Sequence, residues 1–276
     1  MHHVVIATPR PAHRAPRENN DTVSDGTGVR AHGAARAGHR SVSGSPPPPV
    51  RSLALPDGSA TGACIDAPDS PWAALVLAHG AGAGMHHPFM AALATGLAQR
   101  GVATLRFDFP FMHRSGRRPD PPAVAQATVR AACAEAVRRW PGLPLFAGGK
   151  SFGGRMTSQA QAEQPLPGVL GLLFAGFPLH PAGKPGVARA DHLAQVALPM
   201  LFLQGTRDAL AELALLRETT ERLAPRATLQ VLEGADHAFH VLVRSGRTDA
   251  AVLHQLVDAA ADWMRRVAGA RQAASV

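Results

Sequence analysis

The sequence contains no tyrosine, two cysteines and only two lysines, and it has no long hydrophobic run. Cys64 and Cys133 are too few for a disulfide framework or a zinc knuckle, and 276 residues bury enough apolar surface to be stable without either. No stretch approaches the roughly 20 apolar residues of a membrane helix. Near the first residues we find no apolar core of secretory-signal length. These absences favour a cytoplasmic protein with no membrane partner.

The net charge of +8 raises the question of nucleic-acid binding, and the distribution of that charge argues against it. Residues 1–51 hold seven arginines and three acids, so half of the excess lies there. The remaining basic residues are dispersed rather than aligned on one face. We therefore expect no nucleic-acid partner. The sequence indicates no oligomeric state.

The first 50 residues differ in composition from the rest of the chain. They are rich in Arg, Pro, Gly, Ser and His, end in SPPPPV, and show neither helical nor strand periodicity. Such a stretch cannot bury enough apolar surface to offset its chain entropy. We expect a disordered tail at 1–50 and one folded domain at 51–276.

From residue 51 onward, short apolar runs alternate with longer segments of helical pattern. The predicted strands are 53–55, 61–66, 73–78, 102–107, 143–148, 168–174, 199–204 and 227–232. The predicted helices are 88–100, 122–139, 152–164, 209–224 and 249–268. Runs such as ALVLAHG and VLGLLFAG are apolar at nearly every position, which is typical of strands covered on both faces. The pattern predicts an α/β fold with a doubly wound, mostly parallel, eight-stranded sheet whose functional residues lie at the carboxyl ends of the strands.

The most informative motif is G-K-S-F-G at 149–153, between a predicted strand and a predicted helix. A sharp turn there would force unfavourable backbone angles on Ser151 and expose its hydroxyl. The residues two before and two after the serine come too close to the sheet for a side chain, which explains Gly149 and Gly153. The motif therefore predicts Ser151 as a nucleophile.

A nucleophilic serine needs a base, and the base needs an acid that orients it. His237 follows the last predicted strand, and Asp208 is the first acid after Ser151 that stands at a strand end. Asp236 is the rival acid. We rank it lower because neighbouring side chains in an extended loop normally point apart.

An oxyanion hole needs two backbone N–H groups. We expect one from Phe152, at the start of the helix, and one from Ala81, in the small-residue loop H-G-A-G-A-G after the third strand. His79, Gly80 and Arg114 are candidate substrate-binding residues, the last because an arginine binds carboxylate or phosphate.

At this point the chain resembles the α/β-hydrolase fold from about residue 51 to its end. The segments AHGAGAGMHHPFM, RFDFPFM, GGKSFGGR, GFPLHPAGKP, LFLQGTRD and GADHAF look like the branch around testis-expressed protein thirty, which is similar to the dienelactone hydrolase family. The resemblance implies Ser151 as nucleophile, Asp208 as acid and His237 as base. Dienelactone hydrolases proper have a cysteine nucleophile; the serine here favours ester or thioester hydrolysis.

The segment between the strands ending near Phe174 and starting near Met200 is too short for a cap domain. We expect an open pocket for a small-molecule acyl substrate, with P-L-H-P-A-G-K-P on one wall. The predicted protein is a serine esterase or thioesterase without a cofactor. The alternative is a catalytically idle hydrolase fold that serves as a protein-interaction module.

Three other kinds of site fit the sequence less well than this one: a P-loop, a dinucleotide-binding loop and a metal site. Pro144 stands where a phosphate-binding P-loop needs glycine, and Met85 replaces the third glycine of a dinucleotide fingerprint. His86, His87, His237 and His240 have no carboxylate or thiolate at ligand spacing. We therefore expect no bound metal.

Overall fold

The computed structural model describes residues 48–114 and 118–273. The predicted tail therefore lies outside the described residues except for its last three. The described part of the chain contains eight strands and five α-helices. The strands are β1 (Arg51–Ala54), β2 (Ala60–Asp66), β3 (Ala73–Ala78), β4 (Val102–Phe107), β5 (Leu145–Lys150), β6 (Val169–Ala175), β7 (Met200–Gly205) and β8 (Ala227–Leu232). The helices are α1 (Pro88–Ala98), α2 (Pro122–Arg139), α3 (Phe152–Glu163), α4 (Leu213–Arg222) and α5 (Asp249–Ala273).

The strands form one sheet in the order β1-β2-β4-β3-β5-β6-β7-β8. The six strands from β3 to β8 are parallel to one another, and β2 is antiparallel to both of its neighbours, β1 and β4. Strands β3, β4 and β7 are buried at every position, as the apolar run of β3 predicts; β4 and β7 also bury the polar residues Arg106 and Gln204. The predicted fold class is confirmed.

Apolar side chains fill a core on each face of the sheet. One core contains the buried faces of α2 and α3, and Val129, Met156 and Phe174 belong to it. The other contains α1 and α5, with Leu93 and Trp263. With both faces covered, the strand ends are the part of the sheet left to form a site.

The predicted elements differ from the structure mainly at their ends. Helix α4 begins at Leu213 instead of 209, because the carboxylate of Asp208 accepts a hydrogen bond from the Leu210 amide at 2.8 Å and holds the chain in a turn. Helix α5 continues to Ala273, five residues past its predicted end.

The connection from β6 to β7 is short. Its one helical segment is a 3₁₀ stretch at Ala188–Gln195, so no cap domain covers the sheet edge between these strands. Among the residues that the structure describes, no helix is both long enough and apolar enough to cross a membrane.

Candidate active site

Ser151 stands at the turn between β5 and α3 with a left-handed backbone, φ 51° and ψ −115°. A non-glycine residue in this region costs about 1–3 kcal/mol, so surrounding packing must hold it there. A Cβ at Gly153 would lie 2.5 Å from the carbonyl oxygens of Ala78 and His79, and one at Gly149 would collide with the Ala78 carbonyl. The two glycines therefore let the turn press against the end of β3 and lift the serine hydroxyl off the sheet edge.

Three side chains from three strand ends meet at this turn. The Oγ of Ser151 lies 2.9 Å from Nε2 of His237, and Nδ1 of His237 lies 2.7 Å from Oδ2 of Asp208. Since a carboxylate only accepts, Nδ1 carries the ring proton, and Nε2 is left to accept from the serine hydroxyl. The arrangement can move a proton from Ser151 to His237.

The carboxylate of Asp208 is buried and fixed by further hydrogen bonds. Its Oδ2 accepts from Nε2 of Gln204 at 2.5 Å, and its Oδ1 accepts from the Leu210 amide. Gln204, which is fully buried, also accepts from the Phe177 amide at 3.0 Å. Gln204 belongs to β7, the strand that precedes the acid, and nothing in the sequence pattern marks it as a functional residue.

Asp236 takes a different part from Asp208. Its Oδ1 accepts from the amides of Ala238 at 2.8 Å and His240 at 3.0 Å, which closes the turn on the far side of His237. The structure thus brings Asp208, and not Asp236, to the imidazole.

The loop after β3 lies beside the serine. A Cβ at Gly80 would be 3.7 Å from Cβ of Ser151, so the loop backbone approaches the nucleophile closely. Within the described residues, neither the Ala81 amide nor the Phe152 amide donates to another protein group, which leaves both N–H groups available to an acyl oxygen.

His79 differs from its expected place. The imidazole is fully buried, where Nε2 accepts from the Phe109 amide at 3.0 Å and Nδ1 donates to the Gly80 carbonyl at 2.8 Å. Burial lowers the pKa of His79, so the ring is neutral at pH 7. It therefore cannot contact substrate; instead it holds the Gly80–Ala81 peptide. Since the two ends of a peptide point in opposite directions, this bond turns the Ala81 N–H away from the core.

Arg114 also differs from its expected place. Its guanidinium is half exposed and pairs with the buried carboxylate of Asp120. It lines no part of the cavity beside Ser151. The neighbouring Arg106 is buried and pairs with Asp66 at 2.7 Å, so this cation is likewise committed to the fold.

A cavity of about 410 Å³ opens beside the nucleophile. The residues that line it are Gly80–Ala83, His87, Phe89, Met90, Lys150, Ser151, Leu210, His237 and Ala238. The lining is mainly apolar, which suits the acyl part of a small ligand. The segment P-L-H-P-A-G-K-P, residues 178–185, is not among the lining residues, contrary to expectation.

The position of residues 178–185 away from the cavity has a structural reason. His180 is buried, and its Nε2 accepts from the Glu212 amide at 2.9 Å, which ties the segment to the start of α4.

A larger cavity of about 600 Å³ lies at the opposite ends of the strands, beside Trp140 and Leu145. Of Ser151, Asp208 and His237, none borders that cavity.

Lys150, the residue before the nucleophile, is the contact that sequence reasoning missed. Its Nζ donates to the main-chain carbonyl of His237 at 2.6 Å. A lysine beside the nucleophile, in a chain that has only one other, was the available signal.

In the described part of the chain, no group of three or more His, Cys, Asp or Glu side chains could hold a metal ion.

Comparison with known proteins identifies the fold. A family model described as an alpha/beta hydrolase domain matches residues 71–265. An alpha-beta serine hydrolase homologue from Coxiella burnetii is 22% identical, with a TM-score of 0.62, over 78% of this chain and 99% of that one. A dienelactone hydrolase from Anabaena variabilis is 19% identical, with a TM-score of 0.62, over 79% and 98%. A serine hydrolase from Xanthomonas campestris described as lacking a lid is 22% identical, with a TM-score of 0.57, over 75% and 93%.

Proposed function

We propose, since the chain belongs to the alpha/beta hydrolase family, that it cleaves an ester or thioester of a small acyl substrate through an acyl-enzyme on Ser151. The observation that carries the proposal is the continuous path of hydrogen bonds from the Ser151 hydroxyl through His237 to Asp208, at 2.9 and 2.7 Å, beside a cavity. The serine hydrolases among the structural relatives support hydrolysis in general.

The first half of the reaction acylates the serine. The Ser151 oxygen attacks the acyl carbon while His237 takes its proton on Nε2, and Asp208 stabilises the resulting imidazolium. The amides of Phe152 and Ala81 hold the oxyanion, each donor lowering the barrier by about 3 kcal/mol. The imidazolium then protonates the leaving alcohol or thiol.

The second half releases the acid. Water gives a proton to Nε2 of His237 and attacks the acyl carbon, and the same two amides hold the second oxyanion. Collapse of that intermediate returns the proton to Ser151. A cavity of about 410 Å³, without a cap domain above it, favours short acyl groups over long lipid chains.

The strained turn argues against the alternative of an idle fold that serves as an interaction module. A backbone at φ 51° on a serine has a cost that a scaffold would have no use for, since glycine adopts it freely. If the protein hydrolyses no member of a panel of short esters and thioesters, that result favours the idle fold.

A fluorophosphonate probe tests the nucleophile directly. We expect the wild type to be labelled and Ser151→Ala to be unlabelled. Ser158→Ala is the matched control, because Ser158 also lies beside a histidine, 2.8 Å from Nε2 of His192, but is fully buried. Labelling of Ser151→Ala at the wild-type rate would refute the mechanism.

A further inference from the structure

We propose that Lys150 is a positioning residue whose ammonium holds the loop carrying His237, so that the imidazole stays within reach of Ser151. The inference rests on the function proposed above, because it assigns a part in the same reaction. It adds to the nucleophile motif a requirement for the residue that precedes the serine.

The contacts of Lys150 join the nucleophile strand to the histidine loop. Its main chain belongs to the last residue of β5, and its Nζ donates to the His237 carbonyl at 2.6 Å. The same Nζ lies 5.3 Å from the ring centroid of Phe239, within the range of a cation–π contact. The ammonium therefore touches the histidine loop at two residues and fixes it relative to Ser151.

No carboxylate competes for this ammonium among the described residues. The charged or titratable groups that face it are Asp208, after β7, and Asp236 and His237, after β8, and neither aspartate lies within 4.0 Å of Nζ. Gly176 also lies next to the ammonium: a Cβ added at this glycine would be 3.0 Å from Nζ. The bond to the His237 carbonyl and the contact with the Phe239 ring thus direct Nζ to the histidine loop, while Lys150 also lines the cavity beside Ser151.

The loop needs such a tie because its own conformation is strained. Phe239 has φ 65°, a left-handed backbone that costs a side-chain-bearing residue about 1–3 kcal/mol. Stacking of Phe239 on Phe89, with centroids 5.3 Å apart, and the turn at Asp236 hold one end. The Lys150 contact holds the residue that carries the base. A displacement of about 1 Å at such a base costs roughly 10²-fold in rate.

Because the contact with the His237 carbonyl is made by a titratable ammonium, its strength is expected to depend on pH. Burial lowers the pKa of Lys150 to about 8, against the weaker attraction of Asp208 and Asp236. Below that pH the ammonium makes a charge-assisted hydrogen bond; above it the neutral amine makes one of roughly half the strength. Arginine stays charged throughout, so Lys150→Arg separates the charge from the contact.

The experiment measures steady-state hydrolysis of p-nitrophenyl butyrate at pH 7 by the wild type and by the Lys150→Met, Lys150→Arg and Lys184→Met variants. We expect Lys150→Met to lower kcat about 10-fold to 100-fold with KM within about 3-fold, and Lys150→Arg to recover most of kcat. Lys184→Met is the matched control, since Lys184 is the other lysine of the chain and is exposed. The wild type is expected to lose kcat several-fold from pH 7 to pH 9, whereas Lys150→Arg keeps it.

Two results overturn the proposal: an unchanged kcat in Lys150→Met, or the same alkaline loss of kcat in Lys150→Arg as in the wild type. If the unchanged kcat is accompanied by a raised KM, Lys150 contacts substrate instead. If the wild type hydrolyses no substrate, the proposed function fails separately. The loop is then tested by the low-field Nδ1–H proton resonance of His237. That resonance is expected to persist in Lys150→Arg and Lys184→Met and to broaden in Lys150→Met; if Lys150→Met does not fold, loss of the resonance in Lys150→Arg decides against the proposal.

Discussion

The carboxylate of Asp208 accepts from Nδ1 of His237 at 2.7 Å, although Asp236 stands next to that histidine in the chain. Sequence adjacency places the Asp236 main chain beside His237, but its side chain turns to the amides of Ala238 and His240. Two acids near one base thus have separate roles, one electrostatic and one conformational.

The two acids are separated by matched substitutions. In Asp208→Asn the amide offers N–H or oxygen without charge, so the imidazolium loses its partner and kcat is expected to fall by roughly 10⁴. Asp236→Asn keeps an oxygen that accepts from the two amides and is expected to stay within about 5-fold. Steady-state kinetics on a short p-nitrophenyl ester checks both, and equal losses would contradict the assignment.

Gly176 is expected to be intolerant of a side chain. Its φ is 70°, and a Cβ there would lie 3.0 Å from Nζ of Lys150 and 3.4 Å from Cε1 of His237. Gly176→Ala should lower kcat at least about 10-fold by displacing the imidazole. Gly183→Ala is the control, because Gly183 has φ 69° but no atom within 4 Å of the added Cβ. If both variants lose the same activity, backbone strain alone is the cause.

The buried His79 is expected to stabilise the loop that presents Ala81. His79→Leu leaves the Phe109 amide and the Gly80 carbonyl unpaired in the core, which should cost about 1–3 kcal/mol for each. We expect a lower melting temperature together with a lower kcat. His86→Leu, on the exposed part of the same loop, should change neither. Unaltered kcat in a destabilised His79→Leu would show that the bond to Gly80 serves stability only.

Acid is expected to destabilise the fold through His192. Burial, with the charge of Arg155, lowers the pKa of His192 from 6.5 to about 4. Between these two values the unfolded chain binds a proton that the folded one does not, so the free energy of unfolding falls as pH drops from 6.5 towards 4. His192→Gln can keep the hydrogen bond to Ser158 and cannot titrate. Urea unfolding at pH 7 and pH 4.5 should show a smaller loss in that variant; an identical loss would exclude His192 as the cause.

Local patterns in the sequence predict much of this molecule. The order of strands and helices follows from apolar periodicity, and the glycines around Ser151 mark a turn too tight for side chains. Chain order and strand ends also select Asp208 over Asp236. The start of α4 escapes this reasoning, because a carboxylate bonded to the Leu210 amide delays the helix and leaves no periodic signal.

Which residues stand at the strand ends can be read from the sequence, because strand and turn formation depend on neighbours in the chain. Where those side chains point depends on packing between distant segments and is visible only in the folded chain. His79 turns into the core, Arg114 pairs with Asp120, and Lys150 reaches the carbonyl of His237. The partner of Lys150 lies 87 residues away in the chain. Packing of the whole sheet brings the two residues together.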